Sequence, residues 1–433
     1  MFRSNVCRTL TPPLSPVIGL RVGSSPKTLA QQGIMRNARR QDATTSHTPR
    51  RASVLIKRLR VITFLVVLVL ATLAPAQRFT DLHNFTGGTD GAKPWAGAAV
   101  DGKGNIYSTT IFGGSAGYGT VFEVDSSGEE TVLHSFVGTD GAEPWAGVIL
   151  DAANNIYGTT MYGGCCKYGT VFKVDSSGKE SVLHSFTGGT TDGCNPDMGL
   201  VKDKFGNLYG TTQACGSASY GTVFKLSKNR EETILHSFAG GADGEFPNDG
   251  NLFIDKSGNL YGITSGGGSS GYGVVYQVSN SGKETVLYTF AGGTSDGCYG
   301  YGPVTMDTAG NLYGTTIECG LHGAGVVWKL SKGGKEMVLH NFGGTSDGTY
   351  PSGGVVLDAA GNLYGDTEGG GNFNSGVIFK LTKTGKETVL HSFSGSGGSS
   401  PVGGVFRDVR GNLYGTTLNG GIDGDGTVWL LRP

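Results

Sequence analysis

The chain predicts an all-β fold, a seven-bladed β-propeller with four antiparallel strands per blade and the last blade closed by the N-terminal strand. Three observations carry that prediction. The phrase Gly-Asn-Leu/Ile-Tyr-Gly-Thr-Thr recurs with little drift, its tyrosines being Tyr107, Tyr157, Tyr209, Tyr261, Tyr313, Tyr364 and Tyr414, spaced 50, 52, 52, 52, 51 and 50 residues apart. Every period contains four β-rich runs bounded by turn formers, with no helix-period window between them. The two ends of the repeat region are complementary pieces of one copy. A period near 50 filled with short strands and glycine turns is the signature of a propeller.

The elements follow in chain order. Residues 1–60 hold 12 Lys or Arg against one acid, Asp42, and show no apolar periodicity, so they read as a basic disordered segment. Residues 61–77 read as a signal peptide or signal anchor. Val61 to Leu73 is an apolar run of 13 positions, preceded by Lys57, Arg58 and Arg60 and followed by Ala74-Pro75-Ala76. It falls short of the roughly 20 residues a spanning helix needs. A basic region of sixty residues is long for such a signal, which points to a translation start near Val54 or Leu55 and a mature protein from about Gln77. No lipid-attachment cysteine follows the run and no anchor is visible after the last strand, so any membrane contact is expected only through an uncleaved N-terminal segment. Residues 78–433 form the propeller. Of 34 bases and 35 acids, 12 bases and one acid precede Arg78, leaving 22 against 34, a net charge of −12. That sign repels phosphate backbones and excludes nucleic acid as a partner.

The copy starting at Gly147 shows the four runs, a to d: Gly147 to Asp151, Asn155 to Thr160, Gly169 to Val174 and Glu180 to Phe186. Between a and b stands Asp-x-x-Gly-Asn, a turn in which the carboxylate accepts backbone N–H bonds. Strands of alternating direction put the short a–b and c–d turns at one end of each blade and the long b–c and d–a loops at the other. Function on loops held by a rigid scaffold belongs to that second face. The last copy stops after its c run, Gly426 to Leu431, while the mature chain opens with an unpaired d run, Phe79 to Phe85. Joining them closes the ring and leaves no free end of the stack.

Cys194 and Cys215 are 21 residues apart, as are Cys298 and Cys319, and each pair fills the same d–a and b–c slots of its copy. Two intrablade disulfides and an oxidising compartment follow. Cys165 and Cys166 are adjacent, and whether they are bridged, free or linked to another chain is open. Six histidines, His83, His134, His184, His236, His340 and His391, share one slot, with Tyr288 in the seventh copy. Equivalent positions on blades about 10 Å apart cannot share one metal ion whose ligands lie about 2 Å away, so these are expected to be interblade hydrogen-bonding residues. No metal site, cofactor or catalytic residue is assigned. Gly421-Ile-Asp423-Gly-Asp425-Gly426 is similar to a calcium loop but lacks the later bidentate Glu.

The repeated phrases Leu-His-Ser-Phe, Asp-Gly-x-x-Pro, Gly-Asn-Leu-Tyr-Gly-Thr-Thr and Gly-Tyr-Gly-Thr-Val-Phe-Lys-Leu together resemble the Gloeobacter/Verrucomicrobia-type tandem repeat, GloVer, from Phe79 to the C-terminus. The resemblance implies an exported bacterial repeat protein and brings no catalytic residues with it.

In a repeat protein the consensus encodes scaffold, so departures from it on the loop face are the best pointers to a site. These are Trp95, Trp145, Tyr299, Tyr301, Tyr350 and His322, joined by the loop carboxylates Asp90, Asp140, Asp192, Asp243, Asp296 and Asp347. Lys202 and Arg407 replace apolar residues in strand a and are candidates for the channel. Aromatics flanked by carboxylates suit sugar rings or a protein partner. The expected function is thus a secreted or extracytoplasmic, monomeric, noncatalytic binding or structural module for a glycan or cell-surface protein. The alternative is a polysaccharide- or ester-cleaving enzyme on the same face, which would show His322 or Lys202 within about 4 Å of two carboxylates in the channel mouth.

Overall fold

The computed structural model describes residues 77–247 and 251–433. The basic segment, the signal and the proposed start of translation lie outside the described residues. Seven four-stranded antiparallel sheets follow one another around a ring. Blade 1 consists of Ala99–Val100, Ile106–Thr110, Thr120–Val124 and Glu130–Ser135, strands a to d in that order. Five further blades repeat the order. In blade 7, strands Phe406–Arg407, Leu413–Thr417 and Thr427–Arg432 are completed by Arg78–Asn84, which pairs with the last of them in the register Phe79↔Leu431, Asp81↔Trp429, Asn84↔Thr427. The Phe85 amide continues the ladder by donating to the Gly426 carbonyl at 3.0 Å. Closure by the two chain ends is therefore as the complementary fragments require.

Packing explains why the blades cannot stand alone. There are seven hydrophobic clusters, each shared by two neighbouring blades. At their centres lie Phe85, Phe136, Phe186, Phe238, Phe290, Phe342 and Phe393, all completely buried. Each meets the c-strand aromatic of the next blade edge to face, as Phe136 meets Phe172 at 5.1 Å and Phe290 meets Trp328 at 5.9 Å. Such contacts add about 0.5–1.5 kcal/mol to the burial itself. At the axis, the residues leading into strand a approach so closely that a Cβ on Gly97 would lie 2.4 Å from the Gly403 carbonyl oxygen, and one on Gly404 would lie 2.2 Å from that of Gly353. Glycine at Gly97, Gly147, Gly199, Gly354 and Gly404 lets the backbones converge there, with Pro303 and Asn251 in the corresponding places of the other two blades.

The a–b turns carry out the role their sequence implies. The Asp203 carboxylate accepts the amides of Phe205 and Asn207 at 2.8 and 2.9 Å and the Tyr209 hydroxyl at 3.1 Å. Both expected disulfides form, Cys194–Cys215 and Cys298–Cys319, each with a Cα separation of 5.4 Å. They tie the d–a loop to the end of strand b. Such bridges fit an oxidising, extracytoplasmic compartment. Among the described residues no helix is long and apolar enough to cross a membrane.

Candidate functional site at the channel mouth

The long loops contribute two concentric sets of side chains that the consensus leaves free to vary. The outer set is the residue at the top of each d–a loop, Lys93, Glu143, Asn195, Phe246, Tyr299, Tyr350 and Ser400. All seven are non-glycine residues with positive φ, between 53° and 58°. An L-residue pays about 1–2 kcal/mol for that conformation, and the surroundings enforce it. Each amide donates to a carbonyl on the b–c loop of the preceding blade, as Glu143 to Tyr118 at 2.9 Å and Tyr350 to Ala324 at 3.0 Å. Each carbonyl described in this way accepts from the end of strand b in its own blade, as Glu143 from Met161 at 3.0 Å and Ser400 from Leu418 at 3.0 Å. The backbone is fixed from both sides, while the side chains differ in direction: Phe246, Tyr299 and Tyr350 are exposed on the rim, whereas Lys93 and Asn195 turn back to bond neighbouring loops. Strain held by an over-determined scaffold is typical of ligand-facing positions.

The inner set stands two residues later, at Trp95, Trp145, Asp197, Tyr301, Ser352 and Val402; the slot of blade 4 falls within 248–250, outside the described residues. These six line one cavity of about 180 Å³ at the mouth of the axial channel, together with Met198 and Asn251. Trp95 and Trp145 face each other with ring centroids 5.0 Å apart and planes tilted by 55°. The Trp145 indole N–H reaches toward the Glu143 carboxylate at 3.4 Å, which sets the ring's rotation. Asn251 accepts the Gly199 amide at 2.8 Å, closing the channel wall between blades 3 and 4. Two indoles, a phenol, a buried carboxylate and an amide thus converge on a small cup.

The other residues singled out by sequence take different places. Tyr299 and Tyr350 sit on the rim outside the cup, Tyr299 edge to face with Tyr272 at 5.7 Å. His322 is exposed on the b–c loop of blade 5 and makes no hydrogen bond or ion pair among the described residues. Lys202 lies at the blunt end, 3.3 Å from the Asp151 carboxylate and 4.5 Å over the Tyr157 ring. Arg407 lies 5.2 Å over the Tyr364 ring of blade 6. Both cations bridge blades at the turn end, Lys202 from blade 3 to blade 2 and Arg407 from blade 7 to blade 6. Lys93, unremarked in sequence, places its ammonium 2.8 Å from the Gly424 carbonyl and 3.5 Å from Asp425, so a side-chain cation occupies the loop that is similar to a calcium site.

The six loop carboxylates are turned back into their own loops. Asp90 accepts the Thr86 amide at 2.8 Å, Asp192 that of Thr187 at 2.8 Å, Asp243 that of Ala239 at 2.6 Å, Asp296 that of Ala291 at 2.6 Å and Asp347 that of Gly343 at 2.9 Å. Asp140 accepts the Val137 amide at 2.9 Å and faces His134 Nε2 at 2.9 Å. The histidines do not bond a neighbouring blade as expected: His134 and His236 meet the aspartate of the loop that follows their own strand at 2.9 and 3.2 Å, His83, His184 and His340 stand 3.4–3.9 Å from theirs, and His391 stacks on Phe79. Tyr288 substitutes by donating its hydroxyl to Asp296 at 2.9 Å. The neighbouring blade contributes a glutamate instead, at the head of its strand d. Burial and the preceding blade's aspartate push Glu180 up to about 7, and Glu130, Glu336 and Glu387 likewise. Cys165 and Cys166 are exposed thiols with sulfurs 2.9 Å apart.

Residues 69–255 and 228–429 match the Gloeobacter/Verrucomicrobia repeat. No curated protein is similar to the chain in sequence. Among solved structures, streptogramin B lyase is 13% identical and superposes with a TM-score of 0.54 over 82% of this chain and 97% of that one. A gluconolactonase from Xanthomonas campestris is 13% identical, with a TM-score of 0.42 over 84% of this chain and 92% of the other. At such identities the likeness is one of fold.

Proposed function

The chain belongs to the Gloeobacter/Verrucomicrobia repeat family, and from that premise we propose that it is an exported, noncatalytic recognition module whose channel mouth takes one ring of a glycan. The observation that carries the reading is the Trp95–Trp145 pair in a small cup whose wall also carries Asp197, Tyr301 and Ser352. Sugar rings present flat C–H faces that stack on indoles, and their hydroxyls need acceptors and donors such as Asp197, Asn251 and Ser352. The cup's size decides what can enter. At about 180 Å³ it is smaller than the 300–1,000 Å³ that bury whole ligands, so a single ring or a chain end enters while the rest of the ligand lies across the exposed Phe246, Tyr299 and Tyr350 on the rim. The acidic charge of the domain favours neutral or cationic saccharides over anionic ones.

Support for binding over hydrolysis comes from the placement of the basic groups. His322 and Lys202, which a hydrolase would bring beside two carboxylates, are respectively exposed on a rim loop and paired to Asp151 at the blunt end. Export is supported by the two disulfides and by the signal-like run in the sequence.

The test is tryptophan-fluorescence and calorimetric titration of the exported protein with cell-wall and plant polysaccharides arrayed by type. A ligand bound by the wild type is expected to lose about 2 kcal/mol of affinity, roughly thirtyfold, in Trp95→Ala or Trp145→Ala. Release of reducing ends or free acid from any of these substrates would transfer the face to the enzymatic alternative.

A further inference from the structure

The joint between blades 1 and 2 carries a second cluster, remote in the fold from the channel cup and independent of the function assigned to it. His134, near the end of strand d in blade 1, faces Asp140 in the loop that leaves that strand, with Nε2 and Oδ2 at 2.9 Å. Glu180 arrives from the head of strand d in blade 2. One donor atom from each of the three lies within 4.8 Å of the other two. The convergence follows from the perimeter geometry, in which the c–d turn of one blade packs on strand d of the blade before it. A Cβ on Gly128, for example, would lie 2.6 Å from the Leu82 carbonyl.

Two ligands held about 2.0–2.2 Å from one ion stand roughly 3–3.5 Å apart. The His134–Asp140 spacing of 2.9 Å lies within a few tenths of an ångström of that range, and Glu180 needs to move by about an ångström. The cluster is also chemically unfinished. Glu180 Oε1 is shut off from solvent with no hydrogen-bond partner, and among the described residues no Lys or Arg pairs with either carboxylate. Leaving such an acceptor unmet costs about 1–3 kcal/mol. A cation between the three groups would satisfy it. The objection to one ion shared by equivalent histidines does not apply, because these donors come from three different slots of adjacent copies.

Blades 6 and 7 supply a natural counterpart. There Phe79 stands in the glutamate slot, the loop Ser394 to Pro401 has no aspartate, and the histidine that remains, His391, stacks flat on Phe79 at 3.7 Å. Both acidic donors are absent together.

We propose that His134, Asp140 and Glu180 form a binding site for a divalent transition-metal ion of the zinc class, with water completing the coordination, and that the bound ion staples blade 1 to blade 2. One imidazole nitrogen and two carboxylate oxygens suit zinc, whereas calcium wants six to eight oxygens.

Metal-stripped full-length protein titrated with Zn²⁺ by calorimetry, and with Co²⁺ by visible absorption, tests the site. Glu180→Gln and Asp140→Asn both keep an oxygen for the local hydrogen bonds while removing charge. The expected result is zinc binding that weakens at least tenfold in each variant, a zinc-dependent rise in Tm seen only in the wild type, and cobalt d–d bands that both variants lose. Absence of zinc binding, zinc binding that neither variant changes, or binding of Ca²⁺ in preference to Zn²⁺ overturns the proposal. Should one variant fail to fold, as judged by circular dichroism, the other decides by the same readouts.

Discussion

The joint between blades 1 and 2 and the joint between blades 6 and 7 are copies of one design finished in opposite ways. Their cores agree, since Phe136 meets Phe172 at 5.1 Å and Phe393 meets Trp429 at 6.0 Å, both edge to face. Their edges differ. At the first joint the Thr109 hydroxyl donates to the carbonyls of Pro144 and Ala146 at 3.1 and 2.9 Å. At the second, Asp366 fills that threonine slot, wholly buried, with Gly353 pressed against its carboxylate and only the backbone amides of Asp366 and Gly404 turned toward it. At the perimeter, the polar set of His134, Asp140 and Glu180 faces the stacked pair of His391 and Phe79. Aromatic burial is thus common to both joints, while polar finishing is exchanged in sets. Strand Arg78–Asn84 has no short covalent link to its blade, and burial of Phe79 and Phe85 is what seats it.

The comparison can be broken most forcefully at that strand. Phe85→Ala is expected to cost about 3–5 kcal/mol in urea unfolding, as much as Phe136→Ala at a joint within the continuous chain. A Phe85 variant as stable as the wild type would remove the N-terminal strand from the ring. Asp366 gives the next effect. Burial pushes its carboxyl up to about 8, so the folded state keeps a proton that the unfolded chain releases near pH 4. Stability is then greatest below that pH, falls by up to roughly 1.4 kcal/mol per unit as pH rises toward 8, and has lost this contribution above it. Asp366→Thr, which restores the residue found at the first joint, is expected to flatten this part of the pH profile and to be more stable than the wild type at pH 8.5, as read by thermal unfolding. Removing the 298–319 bridge with paired Cys→Ser changes is expected to cost about 3 kcal/mol, measured against the same protein under reductant. A smaller effect sharpens the perimeter contrast: burial pushes His391 down to about 4, and Phe79→Glu is expected to raise its pKa toward the ordinary imidazole range in a two-dimensional NMR titration. Last, Tyr350→Gly relieves a positive φ of 57° and is expected to change stability by no more than about 1 kcal/mol while weakening any ligand that reaches the rim.

Blade number, ring closure and both disulfides were legible because each depends on a relation between copies that a linear reading can see: a fixed period, complementary ends, and cysteines in matched slots. Trp95, Trp145 and Tyr301 were visible as breaks in consensus on the loop face, whereas the cup they share with Asp197, Ser352 and Asn251 depends on the ring and did not show in the linear order. What stayed hidden arises from geometry across copies. Nothing in the phrase Leu-His-Ser-Phe says that the glutamate opening the next strand d will meet that histidine's aspartate, since strand twist alone brings them together. The positive φ at Tyr350 or Glu143 was hidden too, because six kinds of non-glycine residue fill the seven copies of a slot where a turn would usually show glycine. Asp366 was visible as Gly-Asp-Thr in place of Gly-Thr-Thr and went unread, although a carboxylate inside a strand buried on both faces is a strong signal.

The pairing of Arg78–Asn84 with Thr427–Arg432 joins the first and last of the described strands in chain order. The opening strand must therefore remain without its partner through some 340 residues of synthesis, and final assembly becomes an all-or-nothing event at the end. A chain arrested even one blade early would carry two sticky sheet edges, which makes completeness something quality-control proteases can sense directly.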